Sequence, residues 1–228
     1  MYSPGEQEFL RRQLSQLERV VAQKLEQTPP CHDIDHTLRV RMTAAKLGDL
    51  EKADPLLLDY ASLLHDVGRE QELSDQGKTC HAELGAELSK EILAELGIEN
   101  QAFVDAVCDC VRQHRFRRRN QDKPQSIEAK VLYDADKLDS LGAIGLARAF
   151  HFAGRIGAKV HNSAEQAMNS ESYGPEDSAY REFLVKLRLL PDKMLTENGK
   201  KMAQKRLLLM QQFFDNLNRE CDGKDLLT

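Results

Sequence analysis

Apolar positions recur at three- and four-residue spacing along most of this chain, the period of helices that bury one face. The first run carries Phe9, Leu10, Leu14, Leu17, Val20, Val21 and Leu25. Ser3-Pro-Gly-Glu6 opens it as a capping box with proline in the first turn, and Pro29-Pro30 closes it. A second helix starts near His36 and carries Leu38, Val40 and Met42. Asp54-Pro55 opens a third, which holds Leu57, Leu58, Ala61, Leu64 and His65 and is expected to end around Gly68. A polar loop then leads to Thr79, the expected N-cap of a helix from Cys80 to Leu96 that Gly97 terminates. Asn100 caps a fifth helix with the inner stripe Phe103, Val104, Val107 and Val111. Ser126-Ile-Glu begins a sixth, with Val131, Leu132, Ala135, Asp136 and Leu138.

Further on, the small residues of Leu141-Gly-Ala-Ile-Gly-Leu-Ala147 suit close helix packing. Residues 155–177 are the least regular stretch and read as a long surface loop. Helices over Ala179–Leu190 and Glu197–Glu220 complete the chain, the last with an apolar stripe of Leu207, Leu208, Met210, Phe213, Phe214 and Leu217. No run alternates as a strand does, and no segment repeats. The pattern predicts an all-α, single-domain helical bundle over residues 1–228, with a core at 30–150, a loop insert at 155–177 and a C-terminal helical extension at 178–220.

Composition narrows the class of protein. With 41% hydrophobic and 30% charged residues, the chain has the make-up of a globular protein rather than a disordered one. Its apolar runs are too short to span a bilayer, and Met1-Tyr-Ser-Pro-Gly-Glu lacks the basic start and apolar stretch of a secretory signal, so a cytoplasmic protein is expected. Five cysteines without framework spacing predict reduced thiols. Cys108 and Cys110, two apart on a helix, point in different directions and read as packing thiols. A net charge of −5 argues against general nucleic-acid binding. One basic run, Arg112-Gln-His-Arg-Phe-Arg-Arg-Arg119, reads either as a solvated helix end or as a clamp for a polyanionic substrate.

The candidate chemistry centres on His65-Asp66, at the end of the greasy stretch Tyr60-Ala-Ser-Leu-Leu. A buried imidazole–carboxylate pair is costly unless a metal ion or a hydrogen-bond network offsets it. His36, His81, His114 and Asp136 lie on successive helices, as side chains aimed at one point in a bundle would. A nitrogen and oxygen donor set without thiolates suits Mn, Fe, Ni, Co or Zn and argues against a structural zinc site. Spacing does not choose the last carboxylate: Asp136 and Asp139 share a helix face, and Asp134 points elsewhere. His81 reads as a helix-start surface residue or, beside the small Gly85-Ala86 pair, as a ligand. His32 reads as a loop residue, and His151 and His161 as ordinary. No phosphate-cradling glycine loop or nucleophile elbow is present.

The order His36, His65-Asp66, Asp136 resembles the HD superfamily of metal-dependent phosphohydrolases. Ala61-Ser-Leu-Leu-His-Asp66, Asp134-Ala-Asp-Lys-Leu-Asp-Ser-Leu-Gly-Ala-Ile-Gly-Leu-Ala-Arg148 and Lys205-Arg-Leu-Leu-Leu-Met-Gln-Gln-Phe213 look like its small single-domain bacterial nucleotide pyrophosphatases, over roughly residues 30–220. The resemblance implies that His36, His65, Asp66 and Asp136 hold a divalent metal (Mn, Fe, Co or Ni, with Mg as an alternative), one or two ions per chain. Some HD subfamilies hold a second ion with two further histidines in the order of His81 and His114, a pair the small pyrophosphatases lack. It also implies hydrolysis of a phosphoester or phosphoanhydride of a nucleotide-like substrate by metal-activated water. Asp66, Lys137 and Arg69 are then the catalytic candidates, and Arg39, Lys137 and Arg69 the candidates for binding phosphate, although Arg39 fits a structural salt bridge nearly as well.

Three rival readings remain at this point: a dinuclear-iron oxygenase of the HD type, a non-catalytic metal-braced module that binds a nucleotide, and a bundle whose buried histidines satisfy one another. The amphipathic first and last helices offer faces for a homodimer.

Overall fold

Short oxygen-bearing side chains start most of the helices. Ser3 caps α1 (Pro4–Lys24) in a reciprocal capping box with Glu6. Asp33 caps α2 (Ile34–Glu51) by accepting the N–H of His36, and Asp54 caps α3 (Pro55–Leu64) by accepting those of Leu56 and Leu57. Asn100 accepts from the Phe103 N–H at the start of α6 (Gln101–Gln113), and Ser126 from that of Ala129 at the start of α7 (Ile127–Leu138). The other helices are α4 (Arg69–Ser74), α5 (His81–Glu95), α8 (Gly142–Arg155), α9 (Ala164–Met168), α10 (Ala179–Val185) and α11 (Glu197–Cys221). The computed structural model describes residues 2–29, 31–115 and 123–225, so 116–119 of the basic run lie outside the described residues. Among the described residues there is no strand, as the hydrophobic pattern predicts, and no helix long and apolar enough to cross a membrane.

Backbone contacts group the chain into two compact units, Met1–Asp136 and Lys137–Thr228. In the first, α3 is the central element. Leu56, Leu57, Leu58, Tyr60, Ala61, Ser62, Leu63 and Leu64 are all buried, so this helix is apolar on every side and must be enclosed. Helices α1, α2, α5 and α6 pack around it. Its C-terminal end therefore delivers His65 and Asp66 into the interior. In the second unit α8 packs on α11, and Phe150, Tyr180, Phe183 and Phe214 form an aromatic cluster with ring centroids 4.7 to 6.5 Å apart.

The structure departs from the sequence pattern in five places. Helix α3 ends at Leu64 rather than near Gly68, and the turn holding His65 to Gly68 leads into α4 where a loop is expected. The only buried residue of α4 is the polar Glu72, so no apolar period announces it. The N-cap of α5 is Cys80, not Thr79, because Asp75 accepts the Thr79 and Lys78 N–H groups and ends the preceding turn there. The insert at 155–177 contains α9, held by a Ser163/Gln166 capping box. The helix expected over Ala179–Leu190 stops at Val185 and gives way to 3₁₀ turns at Leu187–Leu189 and Pro191–Lys193. Leu184, Leu187 and Leu190 are buried at intervals of three, the period of a 3₁₀ helix. On α11 only Met210 and Phe214 of the apolar stripe are buried, while Leu208 is 64% exposed.

Gly68 lets α5 approach the His65–Gly68 turn, and Gly85 lets it approach α6. A Cβ on Gly68 would lie 2.5 Å from the His81 carbonyl oxygen and 2.9 Å from the Gly85 nitrogen, both backbone atoms that cannot swing aside. One on Gly85 would press on Val111 at 3.3 Å. Close approach of these backbones is what brings the first residue of α5, His81, beside Asp66.

Candidate metal centre

Six side chains from four helices or their ends and the turn after α3 meet inside the first unit. The His36 Nε2 lies 3.4 Å from the His65 Nε2, 3.7 Å from the Asp66 Oδ2 and 3.5 Å from the Asp136 Oδ1. On the other side of the same carboxylate, the Asp66 Oδ1 lies 3.4 Å from the His81 Nε2 and 3.7 Å from the His114 Nε2, and these two nitrogens are 3.1 Å apart. His36, His65, Asp66, His81 and His114 are each at most 1% exposed, whereas the side chain of Asp136 is 19% exposed and that of His32 28%. The cluster is thus closed around Asp66 and opens to solvent along its Asp136 and His32 edge.

Backbone and carboxylate acceptors set the tautomers. His65 Nδ1–H donates to the Ser62 carbonyl at 2.7 Å and His114 Nδ1–H to the Val111 carbonyl at 2.6 Å. His81 Nδ1–H donates to the Glu72 carboxylate at 2.8 Å. With hydrogen on Nδ1, each neutral ring presents a bare Nε2 lone pair to the cluster, the form in which imidazole binds a metal. Burial pushes His65 down to about 4 and lowers His81 as well, so both are neutral at neutral pH. Burial acts to raise the pKa of Asp66, but the Arg69 guanidinium and a hydrogen bond from His32 hold it well below the usual carboxylate range.

These lone pairs, together with the Asp66 and Asp136 carboxylates, are donors that could hold a cation. A cation about 2.1 Å from two donors that subtend about 90° to 130° sets those donors about 3.0 to 3.8 Å apart. The spacings above, from 3.1 to 3.8 Å with the His65 Nε2–Asp66 Oδ2 distance included, fall in that range. The donor sets His36/His65/Asp136 and Asp66/His81/His114 therefore fit a divalent cation, as does His32/His36/Asp66. The C-terminal end of α3, with its partial negative charge, points the same way.

The other candidates fare differently. Arg69 is engaged in two ion pairs: one terminal nitrogen donates to the Asp66 Oδ1 at 2.8 Å and the other to the Glu72 Oε2 at 2.7 Å, while its buried Nε has no hydrogen-bond partner among the described residues. These bonds orient Asp66. Arg39 is partly buried one turn after His36, and Lys137, partly buried in the last turn of α7, falls in the second unit. Asp134 is fully buried, and Asp139 pairs with Arg148 at 2.7 Å and does not cap α8, whose N-cap is Leu141. Arg112 pairs with Asp109 and Glu83 on the surface, the solvated reading of that part of the basic run. His151 is exposed, and His161 bonds Asn218.

Three participants escape a reading by sequence. His32 sits in the turn before α2, as a loop residue would, yet its Nδ1 reaches the Asp66 Oδ2 at 3.0 Å. Its one signal is the four-residue spacing to His36. Glu72 and Arg115, which contact each other and His81, carry no signal beyond their neighbours in the chain.

The HD domain profile matches residues 33–141, which hold His36, His65, Asp66, His81, His114 and Asp136. The chain is 37% identical over 199 residues to the uncharacterized protein YpgQ of Bacillus subtilis, covering 86% of this chain and 88% of that one. The crystal structure of B. subtilis YpgQ in complex with ADP superposes with a TM-score of 0.71 at 29% identity, covering 93% of this chain and 96% of YpgQ. An HD-superfamily hydrolase from Bacillus thuringiensis gives 0.70 at 28% identity, over 93% of this chain and 98% of its own. A fold, a profile and a relative over most of its length agree, and the chain belongs to the HD superfamily of hydrolases.

Proposed function

We propose that this centre binds one or two divalent transition-metal ions and hydrolyses a phosphoester or phosphoanhydride bond of a nucleotide-like substrate. The observation that carries the reading is the division of donors about Asp66, whose Oδ2 faces His36 and His65 and whose Oδ1 faces His81 and His114. Such ions, when bound, supply a water of lowered pKa and positive charge for the phosphoryl oxygens. Asp66 offers one oxygen to each donor group, and Arg69 holds that carboxylate ionised and oriented. The exposed edge at Asp136 is where a substrate phosphate gains access. Lys137 and Arg39 are assigned to the charge on that phosphate. YpgQ in complex with ADP supports a nucleotide as the substrate class, and the resemblance to nucleotide pyrophosphatases supports a triphosphate cut to monophosphate and pyrophosphate. The exposed Leu208 and Leu209 of α11 support a homodimer.

The test is a screen of nucleoside tri-, di- and monophosphates and generic phosphoesters against the metal-free protein reloaded with Mn, Co, Ni, Fe or Mg. Metal-dependent release of phosphate or pyrophosphate is expected. Lys137→Ala should keep its metal and lose about 100-fold in kcat; metal loss in that variant would overturn the role assigned to the lysine. A second reading is favoured by the imidazole-rich half at His81 and His114: an HD-type oxygenase with two irons. Oxygen uptake by iron-loaded protein, with no hydrolysis across the panel, would select it.

A further inference from the structure

We infer that Glu72 is the positioning residue that makes His81 a metal ligand, by winning the Nδ1 side of that ring from Arg115. The inference rests on the two-ion form of the reading above. Glu72 lies on α4, buried at 8% exposure, and its carboxylate meets three partners: the His81 Nδ1 at 2.8 Å, Arg69 at 2.7 Å and the Arg115 guanidinium. Arg115 also lies 2.9 Å from the same His81 Nδ1. A guanidinium only donates. Were Arg115 to hold Nδ1, the ring hydrogen would move to Nε2, which faces His114 and Asp66, and no lone pair would remain for a cation.

Glu72 prevents this in two ways. It accepts the Nδ1 hydrogen, which fixes the bare Nε2, and it occupies the Arg115 guanidinium in an ion pair. Through Arg69 it is also tied to Asp66, so the ring and the carboxylate of the His81/His114 half are braced by one buried side chain. His65 and His114 need no such residue, because their Nδ1 atoms donate to backbone carbonyls.

The experiment measures Mn and Co uptake by metal-free full-length protein, using equilibrium dialysis and the visible spectrum of bound Co, with thermal melts to confirm folding. Wild type is expected to take up two ions. Glu72→Ala should retain one near wild-type affinity and bind the other about 10- to 100-fold more weakly. Arg115→Ala should bind both within about threefold of wild type, and Glu72→Ala/Arg115→Ala should recover about tenfold of the loss, since the competing guanidinium is gone. A purely structural role for Glu72 predicts no such recovery. If Glu72→Ala fails to fold, Glu72→Gln, whose amide oxygen still accepts from Nδ1, should keep both ions within about tenfold. Unchanged uptake by Glu72→Ala, a double variant no better than the single one, or a glutamine variant that loses the second ion overturns this inference alone. A wild-type protein that takes up one ion overturns it together with the two-ion reading.

Discussion

In the second unit the buried polar side chains, among the described residues, find hydrogen-bond partners. Asp139 is closed by Arg148, Asp177 by Arg181 and the Tyr173 N–H, and the Asn162 amide oxygen by the Ser178 hydroxyl, while the Asn162 amide nitrogen donates to Glu176. In the first unit His36, His65, Asp66, His81 and His114 are buried together, and their acceptor atoms face one another at 3.1 to 3.8 Å. Burial of polar groups is common to both, so burial alone does not mark a site. The excess of lone pairs over hydrogens does. Acceptors that meet their own donors serve structure, whereas the His65, His81 and His114 rings, with hydrogen on Nδ1, turn Nε2 lone pairs toward one carboxylate and could hold a cation.

That contrast can be broken by mutation, and the largest effect is expected at its centre. Asp66→Ala removes the carboxylate shared by both donor groups and should abolish metal uptake and lower turnover by more than the about 100-fold that a residue merely backing a ligand costs. Metal analysis with a turnover assay checks this, and a variant that keeps both would dissolve the distinction between the units.

Acid should act next, and on the first unit. Burial takes His65 from 6.5 to about 4, so between those values the unfolded chain binds a proton that the folded one refuses. Stability of the metal-free protein is therefore full above 6.5 and falls as pH drops toward 4, by on the order of 3 kcal/mol. Asp66, held below its ordinary 3.8, adds a further loss under more acidic conditions. Thermal melts from pH 7 to pH 4 measure it, and a flat profile would mean that His65 is not buried neutral.

Gly68→Ala is expected to cost about 2 to 3 kcal/mol, because the added Cβ meets the backbone of α5. It should also weaken metal binding on the His81 side more than on the His36 side, which metal titration would resolve. The smallest effect belongs to the second unit. Asp177→Ala should cost about 1 to 2 kcal/mol of stability by leaving Arg181 and the Tyr173 N–H without that partner. Its metal content should equal that of wild type; loss of metal there would show that the two units are not separable in this way.

Much of this architecture is legible from local chemistry. Capping side chains such as Ser3, Asp54, Asn100 and Ser126 act within three residues of themselves, so their helices start where the sequence places them. The same holds for the insert, where the Ser163/Gln166 box was as visible as the others but the lack of an apolar stripe around α9 obscured it. Helix α4 was not legible, because its one buried residue is a glutamate whose partners lie at positions 69, 81 and 115. Its place depends on contacts that no periodicity records. His32 is a like case, a turn residue by every local rule and a neighbour of Asp66 only through the fold.

The sequence by itself determined the all-α class, the enclosed apolar helix that ends in His65-Asp66, and the order of His36, His81, His114 and Asp136 around it, because helical period and ligand type are properties of short stretches. Only the tertiary structure decided that Asp66 divides these donors into two groups, that Arg69 pairs with Asp66, and that Glu72 stands behind His81. Each of those outcomes is a distance between residues far apart in the chain or a choice between competing hydrogen-bond partners, and such choices are settled by packing.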